Sequence, residues 1–190
     1  KPDSSYAKEH VDLAVEVGAE KILVVPGFVS KSEERQLTRY KDDPLKLFAY
    51  MEHNVKIRRM KENLNELVSY AKKQSTEEQP LFVTLEDFDY KLAPYRRAEE
   101  LKYFMEQVPG LRYTFDSGNF AYSDEDAQKA YELLKPYIVH VHCKDRGREK
   151  KIKYLATHVN KGLASVAVGS GYMPVEKVVY DLLRSGYDGY

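Results

Sequence analysis

Cysteine occurs once in this chain, at Cys143, and tryptophan not at all. One thiol excludes an internal disulfide framework and fits a reducing compartment, so a cytoplasmic location is expected. No apolar run approaches the roughly 20 residues that span a bilayer, and no secretory signal is visible. An excess charge of one sign is also missing, because 30 Lys and Arg balance 30 Asp and Glu. That balance argues against a domain that wraps polyanionic nucleic acid. No Gly-x-Gly-x-x-Gly follows a first strand and no Gly-Lys-Ser/Thr loop occurs, which removes the usual support for a nucleotide-binding open sheet. What remains is 190 residues rich in Tyr (16) and Phe (7), enough for one domain with a substantial core.

The chain alternates helical and extended patterns. Residues 4–17 carry a helical stripe of Tyr6, Val11, Ala14, Val15 and Val17, with Gly18 as a natural end signal. Lys21 to Val25 reads as a buried strand that stops at Pro26-Gly27. A polar excursion from Ser30 to Asp43 holds a short helix near Glu33 to Tyr40. From Leu45 to Lys73 the pattern is helical, as one long helix or two. Leu81 to Glu86 and Leu111 to Asp116 are strands, and Tyr95 to Val108 between them is helical. Ser123, with Asp126 three residues on, reads as the capping box of the next helix, which stops near Pro136.

Tyr137 to Asp145 then reads Tyr-Ile-Val-His-Val-His-Cys-Lys-Asp, a buried strand ending in metal-binding and acid/base side chains. Asp145 to Gly162 looks like a long basic and polar loop, and Val166 to Val168 like a short extended piece. Pro174 opens a final helix at an N1-like position, Gly186 closes it, and Asp188-Gly189-Tyr190 resembles the start of another strand. Continuously apolar strands alternating with helices indicate a parallel sheet covered by helices, either doubly wound or a (β/α)8 barrel.

Three strands end in a ligand-type residue: Glu86, Asp116 and His142. The steps between them are 30 and 26 residues, each about one βα unit, so the three sit at equal height on consecutive strands. Because strand side chains alternate, Thr84, Thr114 and His140 lie beneath them on the same face, and Cys143 points toward the helices. Barrel enzymes build their sites at this C-terminal face. Two carboxylates and an imidazole suit one divalent ion, Mn²⁺ or Mg²⁺ first, with Co²⁺ and Zn²⁺ as alternatives. Taken singly, each residue has an ordinary reading. His140 fits a hydrogen-bonded core histidine, Cys143 inert packing, Lys144 and Arg146 solvated loop cations, and Arg148 to Lys153 a wet charge run. The coincidence of three ligand types at three equivalent strand ends is what points to a site.

Thr84-Leu85-Glu86-Asp87, Thr114-Phe115-Asp116-Ser117-Gly118-Asn119, His140-Val141-His142-Cys143-Lys144-Asp145 and Gly186-Tyr187-Asp188-Gly189 resemble, in order, the last four strand regions of the xylose isomerase-like TIM barrel superfamily. The resemblance runs from Tyr6 onward. It implies one incomplete barrel domain over residues 1–190, from about the third helix to the start of the eighth strand. The opening at Lys1 rather than Met agrees with that expectation. It further implies that Glu86, Asp116 and His142 hold the metal and that Glu86 is also a catalytic carboxylate. A glutamate beyond Tyr190 would be the fourth ligand and second catalytic group. Asn119, His140, Asp145 and Arg148 become candidate substrate-binding residues. Asn119 stands where relatives often have histidine, as does Pro26.

The implied activity is metal-dependent isomerisation or epimerisation of a sugar or sugar phosphate by proton transfer through an enediolate. A lyase on the same scaffold, either an inosose-type dehydratase or a carbon-glycoside-cleaving enzyme, is the alternative. An apurinic/apyrimidinic endonuclease and a non-catalytic sugar-binding barrel rank below it. The expected partner is a small sugar or cyclitol, with no nucleic acid or membrane, and homo-oligomer formation is left open.

Overall fold

The computed structural model describes residues 4–148 and 163–190. The elements in chain order are α1 (Ser4–Glu16), β1 (Lys21–Leu23), α2 (Lys31–Tyr40), α3 (Pro44–His53), α4 (Val55–Gln74), β2 (Phe82–Glu86), α5 (Ala98–Gln107), β3 (Arg112–Asp116), α6 (Ala127–Leu134), β4 (Ile138–His142), β5 (Asp145–Arg148), β6 (Leu163–Val166) and α7 (Val175–Arg184). Strands β1 to β4 form one parallel sheet in sequence order. Each crossover is helical, so the helices cover one face and the strands' C-terminal ends share one edge. With the helices outside, this is a parallel half-barrel, an incomplete (β/α) barrel as expected. Among the described residues no helix is long and apolar enough to cross a membrane.

The alternation of strand side chains decides what lies where. Val83 and Leu85 on β2, and Tyr113 and Phe115 on β3, are fully buried on the helix side. Thr84 and Thr114 point to the other face, where the Thr114 hydroxyl donates to Thr84 Oγ1 at 2.8 Å and that of Thr84 to the Ile22 carbonyl at 3.2 Å. Thr84, Thr114, His140 and His142 line one cavity there with Lys21 and Leu23. The core lies between sheet and helices. α3 contributes Leu47 and Met51, α4 Ile57, Met60, Leu64, Leu67 and Ala71, and α5 Leu101, Tyr103, Phe104 and Met105.

The helical stretch from Leu45 onward divides in two at Asn54. Its extended backbone (φ −75°, ψ 122°) interrupts the ladder, and its side chain caps α4 by accepting from the backbone of Lys56 and Ile57. Ser30 and Glu33 form a reciprocal capping box at the start of α2. Glu33 also accepts from Asn54 (3.1 Å) and Lys56 (2.8 Å), which ties α2 to the start of α4. Gly18 takes the left-handed conformation (φ 72°) after α1, as expected of an end signal.

Several local expectations are corrected. Tyr6 and Val17 are exposed, because at 3.6 residues per turn both fall away from the face that carries Val11 and Ala14. The strand at Lys21 is shorter than expected and not buried: Leu23 is 42 % exposed. Among the described residues β1 pairs only with β2, which leaves its other side open. β4 is half-buried for the same reason, although the Val141 N–H donates to the Tyr190 carbonyl at 3.1 Å beside it. Asp126, not Ser123, caps α6, accepting from the backbone of Gln128 and Lys129. Asp124 in the left-handed region (φ 57°) ends a short 3₁₀ turn and separates Ser123 from the helix. α5 begins at Ala98 rather than Tyr95. Pro174 stands just outside α7 as its N-cap residue. The supposed loop after Asp145 starts as a strand. β5 pairs antiparallel with β6, Asp145 opposite Val166, and the extended piece expected at Val166 to Val168 lies instead at Leu163–Val166. The rest of the expected charge run beyond Arg148 falls outside the described residues.

Candidate metal centre

Glu86, Asp116 and His142 end β2, β3 and β4, and the parallel register sets Asp116 opposite His142. Their candidate ligand atoms all lie within 4.8 Å of one another. His142 Nδ1 faces Glu86 Oε1 at 2.6 Å and Asp116 Oδ2 at 3.7 Å. Glu86 and Asp116 are buried and His142 is half-buried. Asp116 is held by its own loop: Oδ1 accepts from the backbone N–H of Gly118 (2.8 Å) and Asn119 (3.0 Å). Oδ2 is buried with no aligned hydrogen-bond donor, and its close neighbour is the Lys144 ammonium at 2.5 Å. The same ammonium is 3.5 Å from Glu86 Oε1.

Electrostatics follow from burial. Burial pushes the Glu86 carboxyl above the usual carboxylate range and the Asp116 charge adds to that, against the pull of His142 and Lys144. Burial would lower Lys144, but the two carboxylates beside it raise it overall.

A divalent ion fits this geometry. Ligand atoms about 2.1 Å from one ion stand roughly 3–4 Å apart, close to the spacing of the three residues. Asp116 Oδ2 takes no backbone N–H and faces a cationic group, Lys144, which is the environment that suits a metal-ligand oxygen.

Behind the ligands sits a second set of contacts that sequence reasoning missed. Asp87 is fully buried, and its Oδ1 accepts from the Tyr113 hydroxyl (2.5 Å) and from the backbone N–H of Asp116 (2.9 Å). Burial first, then the Asp116 charge, raises the Asp87 carboxyl well above its ordinary value. Asp87 thus clamps the end of β2 to the end of β3. Ser117 does the same between β3 and the segment after β4, its hydroxyl donating to the Lys144 carbonyl at 2.7 Å.

The remaining expected site residues are placed as follows. Asn119 is buried, with its amide donating to the Asp87 carbonyl (2.8 Å) and its oxygen accepting from Arg146 (3.2 Å). His140 lines the cavity below His142, edge-to-face at 5.2 Å. Its Nδ1 is buried without a partner, so it is not the fully hydrogen-bonded core histidine expected. Burial, His142 and Lys21 all lower its pKa.

Asp145 is not brought to the cluster. Its carboxylate accepts from the backbone N–H of Arg146, Gly169, Gly171 and Met173 and so fixes the turn before α7. Arg148 is exposed and stacks 5.3 Å over the Tyr172 ring. Lys144 is an exposed loop cation as expected, but one paired with Asp116 and Glu86; Arg146 is not a solvated loop cation. Arg146 is 7 % exposed, donating to Ser165 and Asn119 with its guanidinium 5.2 Å from the Tyr122 ring. A signal for Lys144 was available: two residues beyond His142, the alternation of an extended segment returns its side chain to the same face. Cys143 is exposed rather than packed.

The family model for the xylose isomerase-like TIM barrel matches residues 4–190. Among solved structures, a xylose isomerase domain protein from Planctomyces limnophilus superposes with a TM-score of 0.64 at 22% identity, over 98% of this chain and 55% of that one. A D-allulose 3-epimerase from Methylomonas sp. gives 0.61 at 13% identity over 100% and 57%, and has also been crystallised with D-allulose. A probable 3-DHS dehydratase from Bacillus anthracis gives 0.56 at 12% identity over 97% and 73%. Curated protein sequences give no match. The chain thus spans just over half the length of the first two structures. The match over residues 4–190, on a parallel half-barrel with its acidic and imidazole groups at the strand ends, means that the chain belongs to the xylose isomerase-like TIM barrel family.

Proposed function

We propose that this chain carries the metal-holding part of a sugar isomerase or epimerase. The observation that carries the reading is the convergence of Glu86, Asp116 and His142, from three consecutive strands, to within 4.8 Å. In this reading those three residues hold one divalent ion, Mn²⁺ or Mg²⁺ by the oxygen-rich donor set. Bound there, the ion would polarise neighbouring carbonyl and hydroxyl oxygens of a sugar. Glu86 is the residue that moves a proton. Its carboxyl ends β2 in the buried cluster, with Oε1 2.6 Å from His142 Nδ1, within reach of a substrate proton at that strand end. Asp116, pinned by two backbone N–H groups, keeps a fixed position while Glu86 exchanges its proton. Asp87, Tyr113 and Asn119 hold the strand ends against each other, which preserves the spacing that proton transfer needs. His140 lines the same cavity below His142, and in this reading it meets a substrate hydroxyl. Asp145 is assigned to support of the turn before α7.

A lyase on the same scaffold is the second reading, supported by the likeness to the probable dehydratase. It starts from the same proton removal and differs in what leaves next. An endonuclease with three zinc ions finds less support, because the Asn119 amide is committed to Asp87 and Arg146.

The test is elemental analysis of the purified protein beside a Glu86→Gln/His142→Ala double variant, followed by a screen of ketoses and inososes. One divalent ion per chain, lost in the variant, is expected. Absence of metal in the wild type after addition of Mn²⁺ would sink the enzymatic reading. Near three zinc ions would favour the nuclease.

A further inference from the structure

Lys144 lies two residues past a metal-ligand candidate, on the same face, and its ammonium reaches two of the three. It stands 2.5 Å from Asp116 Oδ2 and 3.5 Å from Glu86 Oε1. Those are the oxygens that also face His142 Nδ1, so the ammonium and the proposed divalent ion claim the same space. Unlike Oδ1, which takes the Gly118 and Asn119 N–H groups, Asp116 Oδ2 receives no backbone donor. Something cationic must face it, since an isolated buried carboxylate oxygen is costly.

We infer that Lys144 is a placeholder cation. Its ammonium neutralises Asp116 and Glu86 in the metal-free site and is displaced when a divalent ion binds, so that ammonium and ion are mutually exclusive at Asp116 Oδ2. This rests on the metal reading above. The chain around Lys144 is built for such an exchange. Its backbone is fixed at both polar groups, because the N–H donates to Ser117 Oγ at 2.9 Å and the carbonyl accepts from the same hydroxyl at 2.7 Å. Its side chain is 44 % exposed, so the four-carbon stem has room to swing while the anchor stays. On the other side Gly118 leaves space: a Cβ there would come within 2.9 Å of Lys144 Cβ. An arginine could not do the same. Its planar fork would grip the carboxylates with two parallel hydrogen bonds and resist displacement.

The inference predicts that Lys144 weakens metal affinity. Removing it takes away both the competitor and the positive charge next to the ion. Lys144→Met should bind Mn²⁺ at least about 10-fold more tightly than the wild type, equivalent to about 1.4 kcal/mol. Lys144→Arg should bind no more tightly than the wild type. The measurement is titration of each protein with Mn²⁺ alone, reading free Mn²⁺ by electron paramagnetic resonance, with circular dichroism as the check on folding and Lys144→Gln as a second neutral variant. Tighter binding by both neutral variants, and not by Lys144→Arg, supports the exchange. Wild-type binding that neither neutral variant strengthens overturns this inference and leaves the metal reading standing. Failure of the wild type and both neutral variants to bind Mn²⁺ overturns the metal reading, and this inference with it.

Discussion

Glu125 provides a test of which force wins when a carboxyl is buried beside both a helix start and two arginines. Its Oε2 accepts from the Ala98 N–H at the start of α5 at 2.8 Å. Burial pushes its pKa up to about 7 from an ordinary 4.5, and the Glu100 charge adds to that, against the Ala98 hydrogen bond, Arg97 and Arg96. In the unfolded chain the carboxyl ionises near 4.5, so between that value and about 7 the folded state holds a proton that the unfolded state has released. Stability then falls as pH rises through this window, and the full cost is present above it. Each pH unit of the interval is worth about 1.36 kcal/mol, which bounds the cost at roughly 3.4 kcal/mol. The side chain keeps some contact with solvent, and halving for that leaves about 2 kcal/mol.

Glu125→Gln retains an acceptor for Ala98 and cannot ionise. Relative to the wild type it should be more stable at pH 8 by about 2 kcal/mol, a rise in melting temperature of roughly 4–8 °C. Near pH 4.5 the difference should shrink to a few tenths of a kcal/mol. Thermal melts of both proteins across this pH range, compared as differences, cancel every other titration. A variant less stable than the wild type at pH 8 would refute the reasoning. It would mean that Glu125 is ionised in the native state and that the helix start and the arginines outweigh burial.

The Arg96 guanidinium, 6 % exposed, bonds Glu34 at 2.9 Å and Ser123 at 3.3 Å. Arg96→Met should cost about 3–5 kcal/mol by leaving the Glu34 carboxylate buried with less compensation. A Glu34→Leu/Arg96→Met double variant should recover much of this, and an unfolding free energy from urea titration of the single variant within about 0.5 kcal/mol of wild type would contradict it. Gly171→Ala should dislodge the turn before α7, since the added Cβ would collide with the Asp145 carboxylate and the Arg146 carbonyl. Faster amide hydrogen exchange confined to residues 169–173 is the expected readout, and unchanged protection there would count against Asp145 as the anchor.

Periodicity carried much of this molecule. Runs such as Phe82–Glu86 and Arg112–Asp116 identify themselves as buried parallel strands because their apolar residues pack under the helices. The spacing of Glu86, Asp116 and His142 sets them at equal height, since one βα unit has a nearly fixed length. The stop signals at Gly18 and Gly186 were equally legible, because left-handed backbone favours glycine. The partners of individual side chains were not legible. Ser123 and Asp126 both look like caps, and only the left-handed turn at Asp124 decides that Asp126 serves. Asp145 sits in a motif that suggests substrate contact, yet its carboxylate is used by four backbone N–H groups, three of them from a turn more than twenty residues away. Lys144 and Arg146 look like surface charges in the sequence, because charge and length do not reveal which oxygens lie within reach. Local pattern fixes which face a residue occupies. Contacts between residues far apart in the chain fix what that side chain touches, and those exist only once the strands are assembled.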